Sequence, residues 1–127
     1  EKSKNAVREA LPEFNRKNSE NASAYIVTTV VLNRSGFDKD GTAVTEIGNG
    51  WAYYDLGLNN MALLLKATEL GISTLVMGIR DGEKLRKEFD IPETEAVVSV
   101  IAVGYTDSEI VRPKRKSLED FAKFYEE

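Results

Sequence analysis

The sequence predicts one domain of mixed helix and strand, and three observations carry that reading. Two runs, AYIVTTVVL at 24–32 and AVVSVIAVGY at 96–105, are dense in β-branched and apolar residues and read as strands, the first covered on both faces. Between them, WAYYDLGLNNMALLLKATEL at 51–70 reads as a long apolar helix closed by Gly71. The length, 127 residues, suits a single domain over 1–127 with a modest core. The connections allow either an α/β or an α+β sheet.

The remaining elements follow in order. Residues 3–18 read as helical, with Ala6, Val7, Ala10, Leu11 and Phe14 on one side. Pro12 removes a backbone donor inside that pattern, so two short helices are expected, with Pro12 near the start of the second. Residues 33–50 are rich in Gly, Asp, Thr and Asn and read as a long loop, the kind that often binds or covers a ligand. Leu58, Met61, Ala62, Leu65 and Leu70 mark one face of the long helix, and Leu63, Leu64 and Ala67 widen it. A helix that apolar should be buried on more than one side, either at the centre of the domain or in a subunit interface. ISTLVMGI at 72–79 reads as a short strand, and Asp81 as the cap of a helix over 82–89. The strand at 96–105 is the best in the chain and is expected at the centre of the sheet. Ser117 with Asp120 makes a capping-box start for a final helix, SLEDFAKFYEE.

Composition excludes several chemistries. The chain has no Cys and no His, which rules out disulfides, thiolate nucleophiles, zinc–thiolate sites, a Ser–His–Asp triad and histidine-ligated metals. An enzyme built this way would leave the difficult chemistry to a bound cofactor. No apolar run is long enough to cross a bilayer and no signal peptide is visible, so a cytoplasmic protein without a membrane partner is expected. The formal charge is −4, from 17 bases and 21 acids. Four of the bases stand in RPKRK at 112–116, and without them the charge is −8. An acidic body repels a polyanion, so no nucleic-acid partner is expected.

Several local patterns admit a plain and a functional reading. GFDKDG at 36–41 lacks the further oxygen ligands and the closing Glu of a calcium loop and reads as a turn; no metal site is expected. GNGW at 48–51 lacks the third glycine of a dinucleotide fingerprint and reads as a flexible entry to the long helix. Trp51, Tyr53 and Tyr54 suit core anchors, interface anchors or a stacking wall for a planar ligand. Asp55 suits a helix-start role better than a catalytic acid. Met77-Gly78 closes a strand, where a glycine serves a turn or lets a planar ligand come close to the backbone. RPKRK suits a solvated surface run or a phosphate site anchored by the strand before it.

Taken together, three stretches resemble the flavin-dependent nitroreductase family: WAYYDLGLNNMALLLKATELGIST at 51–74; LVMGI at 75–79 with FDIP at 89–92; and VVSVIAVGY at 97–105 with RPKRKSLEDF after it. ASAYIV also resembles the strand before the family's variable region. The resemblance implies an α+β, nitroreductase-like three-layer fold. Its central, mostly antiparallel sheet is flanked by helices, with the long buried helix at a dimer interface. It also implies a homodimer holding FMN at that interface, with NAD(P)H as donor and two-electron, ping-pong reduction of a small-molecule acceptor such as a nitroaromatic or quinone. Met77 and Gly78 would pass beside the flavin ring, with a backbone amide donating toward its N5 region. Lys114 and Lys116, with Arg115 between them, would meet the FMN phosphate. No residue is singled out as catalytic, because the hydride chemistry is the flavin's. The family's opening helix, with its Arg-x-Ser-x-Arg type phosphate motif, has no counterpart, so the chain resembles the C-terminal portion of the family domain. A dimeric or ligand-binding domain without FMN and without enzymatic activity is the alternative.

Overall fold

In the computed structural model, which describes residues 1–109 and 111–125, helices α1 (Lys2–Glu9) and α2 (Glu13–Asn18) come first. Ala10, Leu11 and Pro12 separate them, and Pro12 stands as the N-cap of α2 with extended backbone. Strand β1 (Ala24–Val31) follows, then the loop to helix α3 (Gly50–Glu69), strand β2 (Ser73–Met77), helix α4 (Gly82–Glu88) and strand β3 (Glu95–Gly104). The α4 cap is as expected: the Asp81 carboxylate accepts from the Lys84 amide at 2.9 Å.

The sheet has the order β1-β3-β2, so the most apolar strand is central, and both pairings are antiparallel. The β1–β3 register shifts between Thr28 and Thr29. There the buried Thr28 and Ser99 hydroxyls bond to each other at 2.8 Å, and the Ser99 amide donates to Thr28 Oγ1, which satisfies the groups that the bulge frees.

Alternation along β3 divides the two faces. Val100 and Ala102 join Val7, Ala10, Leu11, Met77, Leu85 and Val97 in the main core, under α1 and α4. Ile101, fully buried, points to the opposite face, where α3 lies against β1 and β2. The result is the expected arrangement of helices, antiparallel sheet and helix.

Two expectations need correction. Helix α3 is not a central helix: within the chain only Ala52 and Ala67 are buried, small residues that let it approach the sheet. Leu58, Met61 and Leu65 are 54–63% exposed. Burial of its outer face would need a second surface that a single chain does not supply. The final helix is also absent among the described residues. The Ser117–Asp120 capping box forms, but only the 3-10 turn Leu118–Asp120 follows it. Glu126 and Glu127, the end of the expected helix, lie outside the described residues. The segment has nothing to pack against, since Phe121, Phe124 and Tyr125 are 69–88% exposed, and so short a helix is marginal without packing.

Candidate functional site

The long loop is folded back on α3. Asn33 and Asn49 close its base, with the Asn33 amide donating to Asn49 Oδ1 at 2.7 Å and Asn49 Nδ2 donating to Asn33 Oδ1 at 3.0 Å. Trp51 fixes its middle: the indole N–H donates to Thr45 Oγ1 at 2.8 Å, and the ring lies against Gly36. Gly36 has φ +79°, and a Cβ there would stand 2.5 Å from the indole. Trp51 is therefore the loop's anchor, with Tyr54 edge-on at 6.0 Å. Asp55 does not cap the helix, since no acidic residue stands in its first turn; it accepts from Ser35 Oγ at 2.6 Å and tethers the loop. GFDKDG forms a turn in which the Thr42 amide donates to Asp40, and that bond holds the Asp40 carboxyl below its usual range. Among the described residues no group of three or more acidic or other ligand side chains could hold a metal ion. No helix there is long and apolar enough to cross a membrane.

Met77 and Gly78 sit where β2 leaves the sheet. Met77 is buried in the main core and pairs with Val100. Gly78 comes next, outside the ladder and exposed, and neither its N–H nor its C=O bonds to any described residue. Its φ is not positive, and a Cβ there would meet nothing within 4 Å. Neither backbone conformation nor crowding within the chain calls for glycine at this position.

The basic segment is placed differently. Lys114, Arg115 and Lys116 are exposed and belong to no helix or strand. Their one hydrogen bond to protein is local, from Arg115 to the Pro113 carbonyl at 3.1 Å, and no ion pair engages them among the described residues. Gly104, where β3 ends, pairs with Ser73 at the start of β2, four residues of strand from Met77. Met77-Gly78 and the route to RPKRK thus leave the sheet about 13 Å apart, from opposite ends. The eight residues from Gly104 to Arg112 can span about 27 Å, enough for return.

Two open hollows lie elsewhere. One, of about 830 Å3, runs between the end of α2 and the Ser73–Gly104 end of the sheet and is lined by Lys17, Ser19, Thr74, Thr106 and Ser108. The other, about 400 Å3, lies between the loop and α3, beside Arg34, Asp55 and Asn59. Neither takes in Met77, Gly78 or RPKRK.

Two residues near Gly78 carry no mark in the sequence. Buried Asn15 on α2 donates from Nδ2 to the Ile79 carbonyl at 2.9 Å. Arg80 donates to the Val97 carbonyl, and its buried Nε has no hydrogen-bond partner among the described residues. The first contact spans 64 residues of chain, beyond any local pattern. A cation two residues after Gly78 was the only visible hint of the second.

Residues 1–105 match the family model described as "Nitroreductase family". The chain belongs to the nitroreductase family. The match ends at Tyr105, so Lys114, Arg115 and Lys116 lie beyond the matched residues. Solved nitroreductase-like structures share the fold. A nitroreductase family protein from Streptococcus pneumoniae is 19% identical, with a TM-score of 0.77 over 96% of this chain and 74% of that one. CLA-ER, an enone reductase of gut-bacterial fatty acid saturation, is 18% identical, with a TM-score of 0.80 over 97% of this chain and 72% of that one. A variant of NfnB, an FMN- and NADPH-dependent nitroreductase from a Sphigopyxis species, is 15% identical, with a TM-score of 0.67 over 87% and 48%. The chain therefore spans from about half to three quarters of the length of these structures. No curated protein matches it significantly.

Proposed function

We propose that this nitroreductase-family chain serves an FMN-dependent oxidoreductase. It would take two electrons from NAD(P)H and pass them, in ping-pong order, to a small acceptor such as a nitroaromatic or quinone. The observation that carries the reading is Gly78. It is a strand-end glycine that the chain needs neither for its backbone angles nor for space, with a free amide and open room beside it. A flat ring laid against that backbone explains the missing side chain, and a ring acceptor explains the free donor. Buried Met77 gives the donor a rigid support.

The residues suit FMN in charge as well. Lys114, Arg115 and Lys116 have no carboxylate partner among the described residues and remain available to a phosphate dianion. Bound FMN would supply hydride acceptance and donation. The chain's own residues would bind the phosphate, orient the ring at Gly78 and offer a hydrogen bond where negative charge gathers on reduction.

The partner in this reading is a second copy. The outer face of α3 exposes Tyr54, Leu58, Met61 and Leu65. An apolar surface of that extent marks an interaction site. A homodimer would cover it.

The test is direct. Purified full-length protein should be yellow, release FMN on denaturation and oxidise NADH or NADPH when an electron acceptor is added. Protein that stays colourless in excess FMN would discard the reading in favour of a ligand-binding domain without redox activity.

A further inference from the structure

Met77 before Gly78 and the three residues after it, Ile79, Arg80 and Asp81, are each tied to the body of the chain, while Gly78 is not. Met77 is fixed by its pairing with Val100 and by burial. The Ile79 carbonyl accepts from buried Asn15 at 2.9 Å. The Arg80 guanidinium donates to the Val97 carbonyl. The Asp81 amide donates to the Ala10 carbonyl at 2.7 Å, and the Asp81 carboxylate caps α4. The Ile79 side chain itself is 65% exposed, so apolar burial does not hold this turn in place. Between these anchors Gly78 bonds through neither its N–H nor its C=O to any described residue; the Arg80 backbone is also unbonded, but its guanidinium is tied and Gly78 has no side chain to tie.

Glycine is the residue least able to hold its own backbone direction. A donor on glycine is preoriented only if its neighbours are fixed on both sides. The ladder does this before Gly78, and the nearest restraint after it is the bond from Asn15. We propose that Asn15 is a positioning residue: by holding the Ile79 carbonyl, it fixes the Gly78 amide as a preoriented donor to the bound ring. The inference rests on the flavin reading above. Asn15 acts through the backbone and never touches the ligand. Its burial also explains why a polar side chain stands on the inner face of α2: its amide is satisfied by the turn it restrains.

The experiment compares the full-length protein with Asn15→Leu, which keeps the bulk and removes the donor. Backbone 15N relaxation of the FMN-free protein reads the clamp alone. Gly78 should be as ordered as the sheet in the wild type, with an order parameter near ~0.85, and fall below ~0.6 in the variant. With FMN bound, the variant should lose about tenfold in its preference for reduced over oxidised cofactor, a two-electron midpoint about 30 mV more negative. The KM for NADH should stay unchanged while kcat falls. If Asn15→Leu does not fold, Asn15→Ala, which adds no bulk, carries the same comparison. An equally ordered Gly78 in the variant, or an unchanged midpoint with FMN bound, would overturn the proposal. Failure of the flavin reading looks different: the wild type takes up no FMN, whatever the order of Gly78, and the role assigned to Asn15 falls with it.

Discussion

Gly36 and Gly78 are both exposed to a single question, what a Cβ would meet, and they give opposite answers. At Gly36 the backbone is left-handed and the indole of Trp51 fills the space. An Ala there carries about 1–2 kcal/mol of backbone strain and also displaces the ring. Gly36→Ala should therefore loosen the loop more than the sheet. The emission of Trp51, the single tryptophan, should shift to the red and the loop should become sensitive to protease. The backbone circular dichroism of the sheet should hold. At Gly78 there is neither strain nor contact. Gly78→Ala should keep full stability in urea, or gain up to about 0.5 kcal/mol by restricting the unfolded chain. Its FMN affinity, by titration, should fall at least tenfold. Equal affinity would show that nothing approaches that backbone. The sequence made Met77-Gly78 a candidate but left the turn reading open, because only coordinates show whether a glycine is required by its own chain.

The elements show where sequence reading succeeds and stops. Pro12, Asp81 and the β-branched run of β3 act through neighbours a few residues away or through strand periodicity, so their consequences were legible: two helices, a capped α4 and a central strand. Which surface covers α3 was not, because an apolar excess shows that one sheet face cannot cover the helix but not what covers the rest. The side facing the sheet buries alanines, Ala52 and Ala67, with Leu56 and Leu63 partly covered, while Leu58, Met61 and Leu65 stand exposed. The last expected helix failed for the complementary reason, since a capping box starts a helix but packing must sustain it. The outward face of α3 yields a prediction of its own. Leu58→Glu with Leu65→Glu changes residues exposed in the single chain, so the fold of that chain should lose no more than about 0.5 kcal/mol per site. Sedimentation should nevertheless show a dimeric wild type and a monomeric variant. A wild type that sediments as a monomer, or a variant that stays dimeric, would remove α3 from the interface.

For the whole molecule, charge is the quantity that the sequence stated and the fold then located. The four bases of RPKRK sit on a body of net −8 and stand apart from it: no hydrogen bond or ion pair among the described residues joins 105–125 to the rest of the chain. A solvated surface run would bring the net charge from −8 to −4 and bind nothing. A phosphate site would leave the same body unchanged but bind through the exposed cations. Lys114→Ala with Lys116→Ala separates the two. The unfolding midpoint in urea should not move, because neither lysine bonds to the body among the described residues. FMN affinity should weaken by about 1.5–3 kcal/mol for each charge-assisted hydrogen bond removed, roughly tenfold to more than a hundredfold per lysine. Wild-type affinity should also fall as salt rises, and the double variant should show a shallower dependence, since fewer charges remain to be screened. An affinity and a salt slope both equal to wild type would return RPKRK to the solvent and place the phosphate elsewhere, with the residues beyond Tyr105 outside the site as they are outside the family match.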